Sequence, residues 1–318
     1  MPGVTAALLG NLDARREFGK VGTQSDIHLH DFREGGRDVT VLVPARYPEK
    51  VQPLSYAVLG CDAAALVVPK LSPQVGEQIL AADAAGIRHG VIVLQDYLQA
   101  EQIRPLLKGT LLEGWDLLTE EDWPRARAVL GAAPVREADG PVQVPVDHHF
   151  NVKGVGAVVL GVVKQGILHK GDTLYAWPEK VICPVRSIQI HDVDHGEART
   201  GDRVGLALRN TNADQLDRGM VLAPADAPLA VVRAGEEVTF RLRRSPFSKQ
   251  PLAAGGVVHL GLGMQFAPLR LATDVPGPGQ EGEVRGVLEK GLVLSAGDRG
   301  VLWHVDNAPQ RVVGAVFL

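Results

Sequence analysis

Residues 10–17, which read GNLDARRE, follow a short apolar run at residues 4–9. A buried strand, a glycine turn and a helix form the frame on which many nucleotide-binding proteins hold phosphate groups. In a working loop, glycine lets backbone N–H groups surround the phosphates, lysine contacts their oxygens, and a Ser or Thr hydroxyl binds Mg²⁺. Here Arg15, Arg16 and Glu17 stand in those three places. Strand–glycine–helix turns without any phosphate site share this frame, so the segment alone leaves both interpretations open.

A second group of side chains able to bind a ligand is basic. Five arginines and lysines fall within residues 233–249, against two acidic residues in the same stretch. They are Arg233, Arg241, Arg243, Arg244 and Lys249. Arg241 and Arg243 share one face of a predicted strand, and a row of cations of this kind suits a nucleic-acid backbone. A solvated charged strand would show the same pattern, so both interpretations stay open.

Residues 191–195 read HDVDH and contain side chains able to bind a metal ion. No partner from a third element is evident in the sequence, whereas a protein zinc site needs three or four ligands. The adjacent residues His148 and His149 point to opposite faces of a predicted strand and cannot act together on one ion. We therefore predict no metal site.

The 318-residue chain is 45% hydrophobic and has a formal net charge of −4. The charge is uneven, because residues 228–318 carry 10 basic and 8 acidic residues while the rest is net negative. A nucleic-acid surface is expected late in the chain, and an aromatic content of 5% favours a duplex backbone over stacked single-stranded bases. No apolar run reaches the roughly 18 residues that span a bilayer, and Cys61 and Cys183 are predicted to be free, buried thiols. We predict a cytoplasmic protein that does not contact a membrane.

Over the first 130 or so residues, apolar runs alternate with helical patterns, which is typical of a mostly parallel sheet with helices on its faces. The predicted strands lie at residues 5–9, 27–30, 39–43, 63–68, 90–94 and 109–112. The predicted helices lie at residues 49–59, 74–85, 100–107 and 120–130.

The pattern changes at residues 131–134. After this point, short Val- and Leu-rich runs are separated by turns containing Gly, Asp and Asn, as in all-β barrels. A second break lies near residues 223–228. We predict an α/β domain at residues 1–139, followed by two β-barrel domains at residues 140–226 and 227–318.

The stretch 146–163 reads VDHHFNVKGVGAVVLGVV, and residues 166–172 read GILHKGD. Both segments resemble the second, β-barrel domain of the translational GTPases of the EF-Tu superfamily, and most of all that of SelB, the selenocysteine-specific elongation factor. Residues 185–191, 201–208 and 217–222 continue the resemblance.

Residues 20–27 and 47–54 look like the archaeal SelB-like elongation factors, paralogues that kept the three-domain body. The resemblance implies a fold of α/β plus all-β type, in which a shortened, P-loop-like G domain precedes two barrels like EF-Tu domains II and III. It also implies GTP and Mg²⁺ as the cofactors of the family, and tRNA or aminoacyl-tRNA, with the ribosome, as partners rather than DNA.

The chain departs from the family pattern in every motif that contacts nucleotide. Where the family has Asp-x-Pro-Gly-His, residues 44–48 read PARYP, and where it has Asn-Lys-x-Asp, residues 95–98 read QDYL. The degenerate nucleotide loop comprises Gly10, Asp13, Arg16 and Glu17. Because three motifs are altered together, we predict that neither GTP nor Mg²⁺ is bound and that the protein is not an enzyme.

By the same resemblance, Asp147, His148 and Arg203 align with positions that contact an aminoacyl group. The candidates for this aminoacyl pocket are Asp147, His148, Phe150, Gln189, His191, Arg203 and Arg209. The alternative is that Asp147 and Arg203 only pair with each other to close the barrel. The resemblance also implies that the third domain binds tRNA. The candidates there are the five residues of the basic run together with His259 and Arg270.

We therefore predict a SelB-like translation-factor paralogue that binds tRNA or aminoacyl-tRNA without hydrolysing GTP. Two alternatives stay open. The first is an active translational GTPase with unorthodox nucleotide contacts, and the second is a scaffold that binds the ribosome or other proteins.

Overall fold

The computed structural model describes residues 2–119, 122–134 and 139–318. Its first sheet consists of β1 (Val4–Gly10), β2 (Lys20–Val21), β3 (His28–Glu34), β4 (Arg37–Val43), β5 (Ala63–Val68), β6 (His89–Leu94) and β7 (Asp116–Thr119). The strands lie in the order β2-β3-β4-β1-β5-β6-β7. Strands β4, β1, β5, β6 and β7 run parallel, and β3 and β2 extend one edge in antiparallel fashion. The predicted mostly parallel sheet is confirmed.

The α-helices of this α/β body, within the described part of the chain, are α1 (Gln52–Leu59), α2 (Pro73–Ala85), α3 (Ala100–Leu107) and α4 (Trp123–Gly131). Local sequence signals define both ends of helix α2. The Ser72 hydroxyl accepts a hydrogen bond from the Val75 N–H at its start, and Gly86 ends it in a left-handed conformation. The segment after β1 forms a 3₁₀ helix, Leu12–Phe18, where an α-helix would be expected in a phosphate-binding frame.

The predicted strand at residues 109–112 is wrong. A 3₁₀ helix occupies Leu111–Gly114, because the Thr110 hydroxyl accepts a hydrogen bond from the Leu112 N–H and caps that turn. Strand β7 follows it. Glu120, the predicted first residue of the last helix, lies outside the described residues, and α4 begins at Trp123.

The middle barrel contains β8 (Val144–Val152), β9 (Gly156–Val162), β10 (Ile167–His169), β11 (Thr173–Trp177), β12 (Val181–Ile190), β13 (Val193–His195), β14 (Glu197–Arg199), β15 (Arg203–Leu208) and β16 (Val221–Ala223). Six of these strands form a ring in the order β11-β16-β8-β9-β15-β12, which the pairing of β11 with β12 closes. Buried Val, Leu, Ile and Ala side chains fill its interior.

The last barrel is formed by β17 (Leu229–Val232), β18 (Glu237–Arg244), β19 (Val257–Leu262), β20 (Gln265–Leu271), β21 (Glu281–Leu288), β22 (Leu292–Ser295), β23 (Arg299–Trp303) and β24 (Val312–Phe317). The closed ring is β18-β21-β20-β19-β23-β24, and β17 pairs with β22 beside it. The predicted fold class, an α/β body followed by two β-barrels, is confirmed. The predicted boundaries between residues 139 and 140 and between residues 226 and 227 stay predictions.

The α/β body and the last barrel share one hydrophobic core. Leu54 of α1 and Ile79 of α2 belong to the same buried cluster as Val301, Trp303 and Ala315 of the barrel. Such a core holds the two parts in a fixed relative position. Cys61 and Cys183, both in the described part of the chain, form no disulfide bond and are buried, as predicted. No helix within the described ranges is both long enough and apolar enough to cross a membrane.

Candidate functional site

Asp147 occupies an irregular position in β8. The pairing of β8 with β9 shifts register between Val146 and His148, which leaves Asp147 as the extra residue of a bulge. In a regular strand, neighbouring side chains point to opposite faces. The bulge instead lets His148 Nδ1 lie 2.7 Å from Asp147 Oδ1, so that two adjacent residues join in one polar site.

Arg203, at the start of β15, contacts Asp147 with both terminal nitrogens. Arg203 Nη2 lies 3.1 Å from Asp147 Oδ1, and Nη1 contacts the other carboxylate oxygen. The Asp147 side chain is 4% exposed. Burial alone would raise the pKa of Asp147, but the Arg203 charge and the His148 hydrogen bond outweigh burial and hold the pKa below its usual range. The pairing of Asp147 with Arg203, which was the alternative to an aminoacyl pocket, is present together with His148, and the pocket itself stays a prediction.

The α/β body completes this site. His148 Nε2 lies 2.7 Å from the Ser25 hydroxyl, which belongs to the loop between β2 and β3. Arg218, in the turn before β16, donates to both Asp26 carboxylate oxygens at 2.7 and 2.8 Å. It also donates to the Asp147 carbonyl at 2.8 Å. Burial would raise the pKa of Asp26, but Arg218 outweighs it and the pKa is lowered.

Four predicted pocket residues are not drawn into this network. Phe150 is 42% exposed. Gln189 donates to Asp194 at 3.0 Å, and His191 Nε2 lies 3.9 Å from Asp38 of the α/β body. Arg209 is exposed at the end of β15. The structure thus assembles Asp147, His148 and Arg203 and leaves the other four candidates at the barrel surface.

The sequence reasoning missed Ser25, Asp26 and Arg218 as site residues. Arg218 stands in the segment 217–222 that resembles the EF-Tu superfamily, where it counted only as evidence for the fold. Asp26 is separated from it by 192 positions, and no local pattern links such distant residues. The signal in the sequence that could have pointed to Arg218 was its place, as a basic residue, directly before Gly219.

The backbone N–H groups of Gly10, Asn11 and Asp13, at the end of β1 and just after it, bond within the protein. Gly10 N–H donates to the buried Gln78 side chain at 2.8 Å, and Asn11 N–H donates to the Val67 carbonyl at 2.8 Å. Asp13 N–H donates to the Asn11 side chain at 3.1 Å. Gly10 has a φ of +80°, and a Cβ there would lie 1.9 Å from the Val67 oxygen, so glycine is required by the fold itself.

Two other residues of the predicted nucleotide loop, Arg15 and Glu17, form hydrogen bonds within the protein. Arg15 donates to the Leu12 carbonyl and to the Asp13 carboxylate, each at 3.0 Å. Arg16 is exposed, and the Glu17 carbonyl accepts a hydrogen bond from Arg127.

Arg244 was predicted to contact tRNA, and the structure contradicts this. Residues of β18 alternate between outside and inside, which places Arg244 in the interior at 4% exposure. Its guanidinium donates to the Pro276 carbonyl at 2.8 Å and to the Gln250 carbonyl. These bonds hold neighbouring loops of the barrel and leave Arg244 unable to contact a phosphate outside it.

Four of the other basic candidates are exposed but stand beside acidic residues. Arg241 and Arg243 lie directly opposite Glu283 and Glu281 on β21. Arg270 lies 2.9 Å from Glu289, and Arg233 lies 3.9 Å from Glu236. Lys249 is exposed in the loop after β18. His259 is half-buried and stacks on Phe266 at 5.1 Å, and burial lowers its pKa. The predicted basic surface is therefore much less positive than the sequence alone implied.

A buried ion pair joins α2 to the last barrel. Arg311 Nη2 lies 2.6 Å from Glu77 Oε2, and Arg311 Nε lies 2.9 Å from the other oxygen. The Tyr47 hydroxyl donates to Glu77 at 2.9 Å, and Arg311 also donates to the Pro48 carbonyl at 3.0 Å. The segment 44–48, where the family pattern places Asp-x-Pro-Gly-His, is thereby fixed to the last barrel.

A cavity of about 600 Å³ lies where the α/β body and the two barrels meet. Charged groups that line it form bonds across the junction. Lys164 of the middle barrel lies 2.6 Å from Asp298 of the last barrel, and Arg299 donates to the Ala84 carbonyl at the end of α2 at 2.8 Å. These bonds connect the three parts of the chain.

Comparison with known proteins matches residues 156–223 to the family model for Elongation factor Tu domain 2. The chain is 31% identical to MJ0325, an uncharacterised protein of Methanocaldococcus jannaschii, over 99% of both chains. It is 27% identical to the selenocysteine-specific elongation factor of that organism, over 94% of this chain and 71% of the relative. Elongation factor 1-alpha of Thermococcus onnurineus is 25% identical over 70% of this chain and 61% of the relative.

Among solved structures, translation elongation factor SelB from Methanococcus maripaludis, in complex with the GTP analogue GppNHp, has a TM-score of 0.84. The two are 23% identical, and the match covers 100% of this chain and 79% of the other. At this identity the likeness describes the fold.

Proposed function

Because the chain belongs to the EF-Tu superfamily, as a SelB-like paralogue of the translation elongation factors, we propose that it binds tRNA or aminoacyl-tRNA without binding or hydrolysing GTP. The barrels carry the interaction in this proposal. The α/β body acts as a fixed support for them.

The main support for the proposed loss of nucleotide binding is the hydrogen bonding of the backbone at the end of β1 and after it. A phosphate site needs backbone N–H groups that are free to point at the ligand, and the N-terminus of a helix that adds its dipole. Here the N–H groups of Gly10, Asn11 and Asp13 bond within the protein, and the segment that follows is a 3₁₀ helix. The buried Gln78 side chain accepts the Gly10 N–H, so this N–H is not free to bind a phosphate.

A second observation supports the same conclusion. In a nucleotide-driven switch, a segment changes partners when the terminal phosphate is lost. Tyr47, within residues 44–48, is buried and bonded to Glu77, which is held by Arg311. A segment bonded in this way to the last barrel has no free position in which to respond to a phosphate.

For RNA, we propose Arg241, Arg243 and Lys249 as the main contacts in the last barrel, since they lie together on β18 and the loop after it. The first two point outward from β18, and Lys249 lies in the loop that follows. Phe247 in the same loop is an exposed aromatic side chain. The acidic neighbours Glu281 and Glu283 weaken this surface, so we expect a moderate affinity that depends on salt.

Calorimetry with GTP and with GDP, each with Mg²⁺, tests the first part. We expect no binding tighter than about 10 μM, and a tighter complex would favour the atypical GTPase. Filter binding with aminoacylated and deacylated tRNA tests the second part. Replacing Arg241 and Arg243 by alanine should flatten the slope of log K against log salt by roughly 1.5 units. Arg125→Ala, which changes an exposed arginine of the α/β body, is the control. A protein that binds no tRNA at any salt concentration would favour the scaffold.

A further inference from the structure

Three side chains at the junction of the α/β body with the middle barrel form a continuous chain of hydrogen bonds. The Ser25 hydroxyl lies 2.7 Å from His148 Nε2, and His148 Nδ1 lies 2.7 Å from Asp147 Oδ1. The Asp147 carboxylate can only accept, so Nδ1 carries the proton of that bond and Nε2 of the neutral imidazole accepts from the hydroxyl. A nucleophile, a general base and the group that orients the base make these contacts in enzymes of acyl transfer.

The Ser25 hydroxyl has other acceptors nearby, and His148 is the nearest of the three. The Ile27 carbonyl lies at 3.0 Å and Asp26 Oδ1 at 3.1 Å. The Ile27 N–H also donates to the Ser25 oxygen at 3.2 Å, which fixes the oxygen in position. His148 is equally constrained, since its side chain is 11% exposed and both ring nitrogens are bonded. The nucleophile and its base are therefore held in one geometry before any substrate arrives.

Arg218 places a positive charge beside the Ser25 oxygen. Its Nη2 lies 3.4 Å from that oxygen. Bonds to Asp26 at 2.7 and 2.8 Å and to the Asp147 carbonyl at 2.8 Å hold the guanidinium there. When a serine oxygen attacks an ester, the carbonyl oxygen gains negative charge, and a preorganised donor close to it lowers the barrier. Arg218 is positioned to be such a donor.

The surroundings limit the substrates to small, reactive acyl groups. Arg203 contacts both carboxylate oxygens of Asp147, and its charge offsets part of the support that Asp147 gives to a protonated His148. A base with reduced support suits esters, because an alkoxide leaves more easily than an amine. Ser25 is half-buried, so a large acyl group does not fit beside it.

We propose that Ser25, His148 and Asp147 hydrolyse a carboxylic ester that carries a small acyl group. His148 Nε2 takes the hydroxyl proton as the Ser25 oxygen bonds to the acyl carbon. The same proton passes to the departing alkoxide as the ester C–O bond breaks. His148 then takes a proton from water, whose oxygen attacks the acyl carbon, and returns it to the Ser25 oxygen as the acid leaves. Water is the only co-reactant, so the reaction is independent of GTP and of tRNA binding.

Labelling with a fluorophosphonate tests the nucleophile directly. The Ser25 oxygen should displace fluoride from phosphorus, and mass spectrometry of the digested protein should place the label on Ser25. Labelling should slow at least about 100-fold in His148→Gln, because a general base contributes about 10²–10⁴-fold. His149→Ala is the matched control, since His149 is the next residue of β8 and takes no part in these hydrogen bonds.

Hydrolysis of p-nitrophenyl acetate gives a second readout. Ser25→Ala removes a single oxygen and should lower kcat/KM at least about tenfold, with the remaining rate due to other histidines of the chain. Thermal unfolding of each variant shows that it is folded before it is assayed. A folded parent protein that takes no label on Ser25 overturns the proposal. Equal labelling of the parent and His148→Gln, or an unchanged hydrolysis rate in Ser25→Ala, overturns it too. None of these outcomes changes the test of tRNA binding by the last barrel.

Discussion

The α/β body meets the two barrels through junctions of opposite character. Toward the last barrel, the contact is a continuous hydrophobic core that includes the fully buried Trp303. The polar groups within it, Glu77 and Arg311, are almost completely excluded from water. Toward the middle barrel, the contact depends on Ser25, Asp26 and partners that are partly exposed.

Because of this difference, we expect the junction with the last barrel to be permanent and the junction with the middle barrel to be able to open. Separating Glu77 from Arg311 would leave charges in an apolar interior, which costs several kcal/mol. Asp26 and Arg218 are 31% and 23% exposed, so both groups keep some contact with water when they separate, and the cost should be smaller, on the order of 1 kcal/mol. The contact between Arg218 and Asp26 should therefore open at a lower cost than the junction with the last barrel. Replacements at the two junctions should show this difference directly.

The largest effect is expected for Glu77→Ala. It leaves the Arg311 guanidinium buried without its carboxylate, and the Tyr47 hydroxyl loses its acceptor. We expect the free energy of unfolding to fall by about 3–5 kcal/mol, measured by urea denaturation. A double variant with Arg311 also replaced should recover part of the loss. If Glu77→Ala lowers the free energy of unfolding no more than Asp26→Ala does, the junction with the last barrel is not the more permanent of the two.

Arg203→Ala should come next, with a loss of about 3 kcal/mol at pH 7, because it strands the buried Asp147 carboxylate. The pKa of Asp147 is lowered in the folded protein, so its stabilising contribution is present above the unfolded pKa of about 3.9 and is lost as pH falls through the folded value. The difference between parent and variant should therefore shrink as the pH falls, and it should be smaller at pH 3 than at pH 7. A difference that is the same at pH 7 and pH 3 would contradict this assignment.

Two glycines of one helical region give a matched test of the permanent joint. Gly86 has a φ of +84°, and a Cβ there would lie 2.6 Å from the Arg299 guanidinium of the last barrel. Gly86→Ala should cost about 1–2 kcal/mol. Gly76, inside α2, has nothing within 4 Å of an added Cβ, so Gly76→Ala should stabilise by about 0.5–1 kcal/mol. Thermal unfolding of the two variants should shift in opposite directions.

The smallest effect is expected for Asp26→Ala. The pKa of Asp26 is lowered, but the pair is partly exposed, so we expect a loss of at most about 1 kcal/mol at low salt. Since salt screens such pairs, the loss should become smaller at about 1 M NaCl. Unfolding measured at both salt concentrations checks this. A loss above about 2 kcal/mol that salt leaves unchanged would make this junction as permanent as the other.

Much of the fold could be predicted because its signals are local. The strand at Ala63–Val68 and the helix at Ala100–Leu107 were predicted with the limits that the structure shows. The error at residues 109–112 has a local cause too, since the Thr110 cap turns an apolar run into a 3₁₀ helix. The alternation of side chains along β18 could also have excluded Arg244 as an RNA contact, because Arg244 shares the inner face of the strand with Leu242.

By itself, the sequence determined the order of an α/β body and two barrels and the likeness of the middle barrel to EF-Tu domain 2, while the loss of the nucleotide motifs stays a prediction. Only the tertiary structure decided which distant side chains meet. Arg218 and Asp26 are 192 positions apart, and Arg311 and Glu77 are 234 positions apart. The tertiary structure also placed Glu281 and Glu283 opposite the arginines of β18. Propensity and periodicity act within one element, whereas charge pairing and burial depend on how separate elements pack.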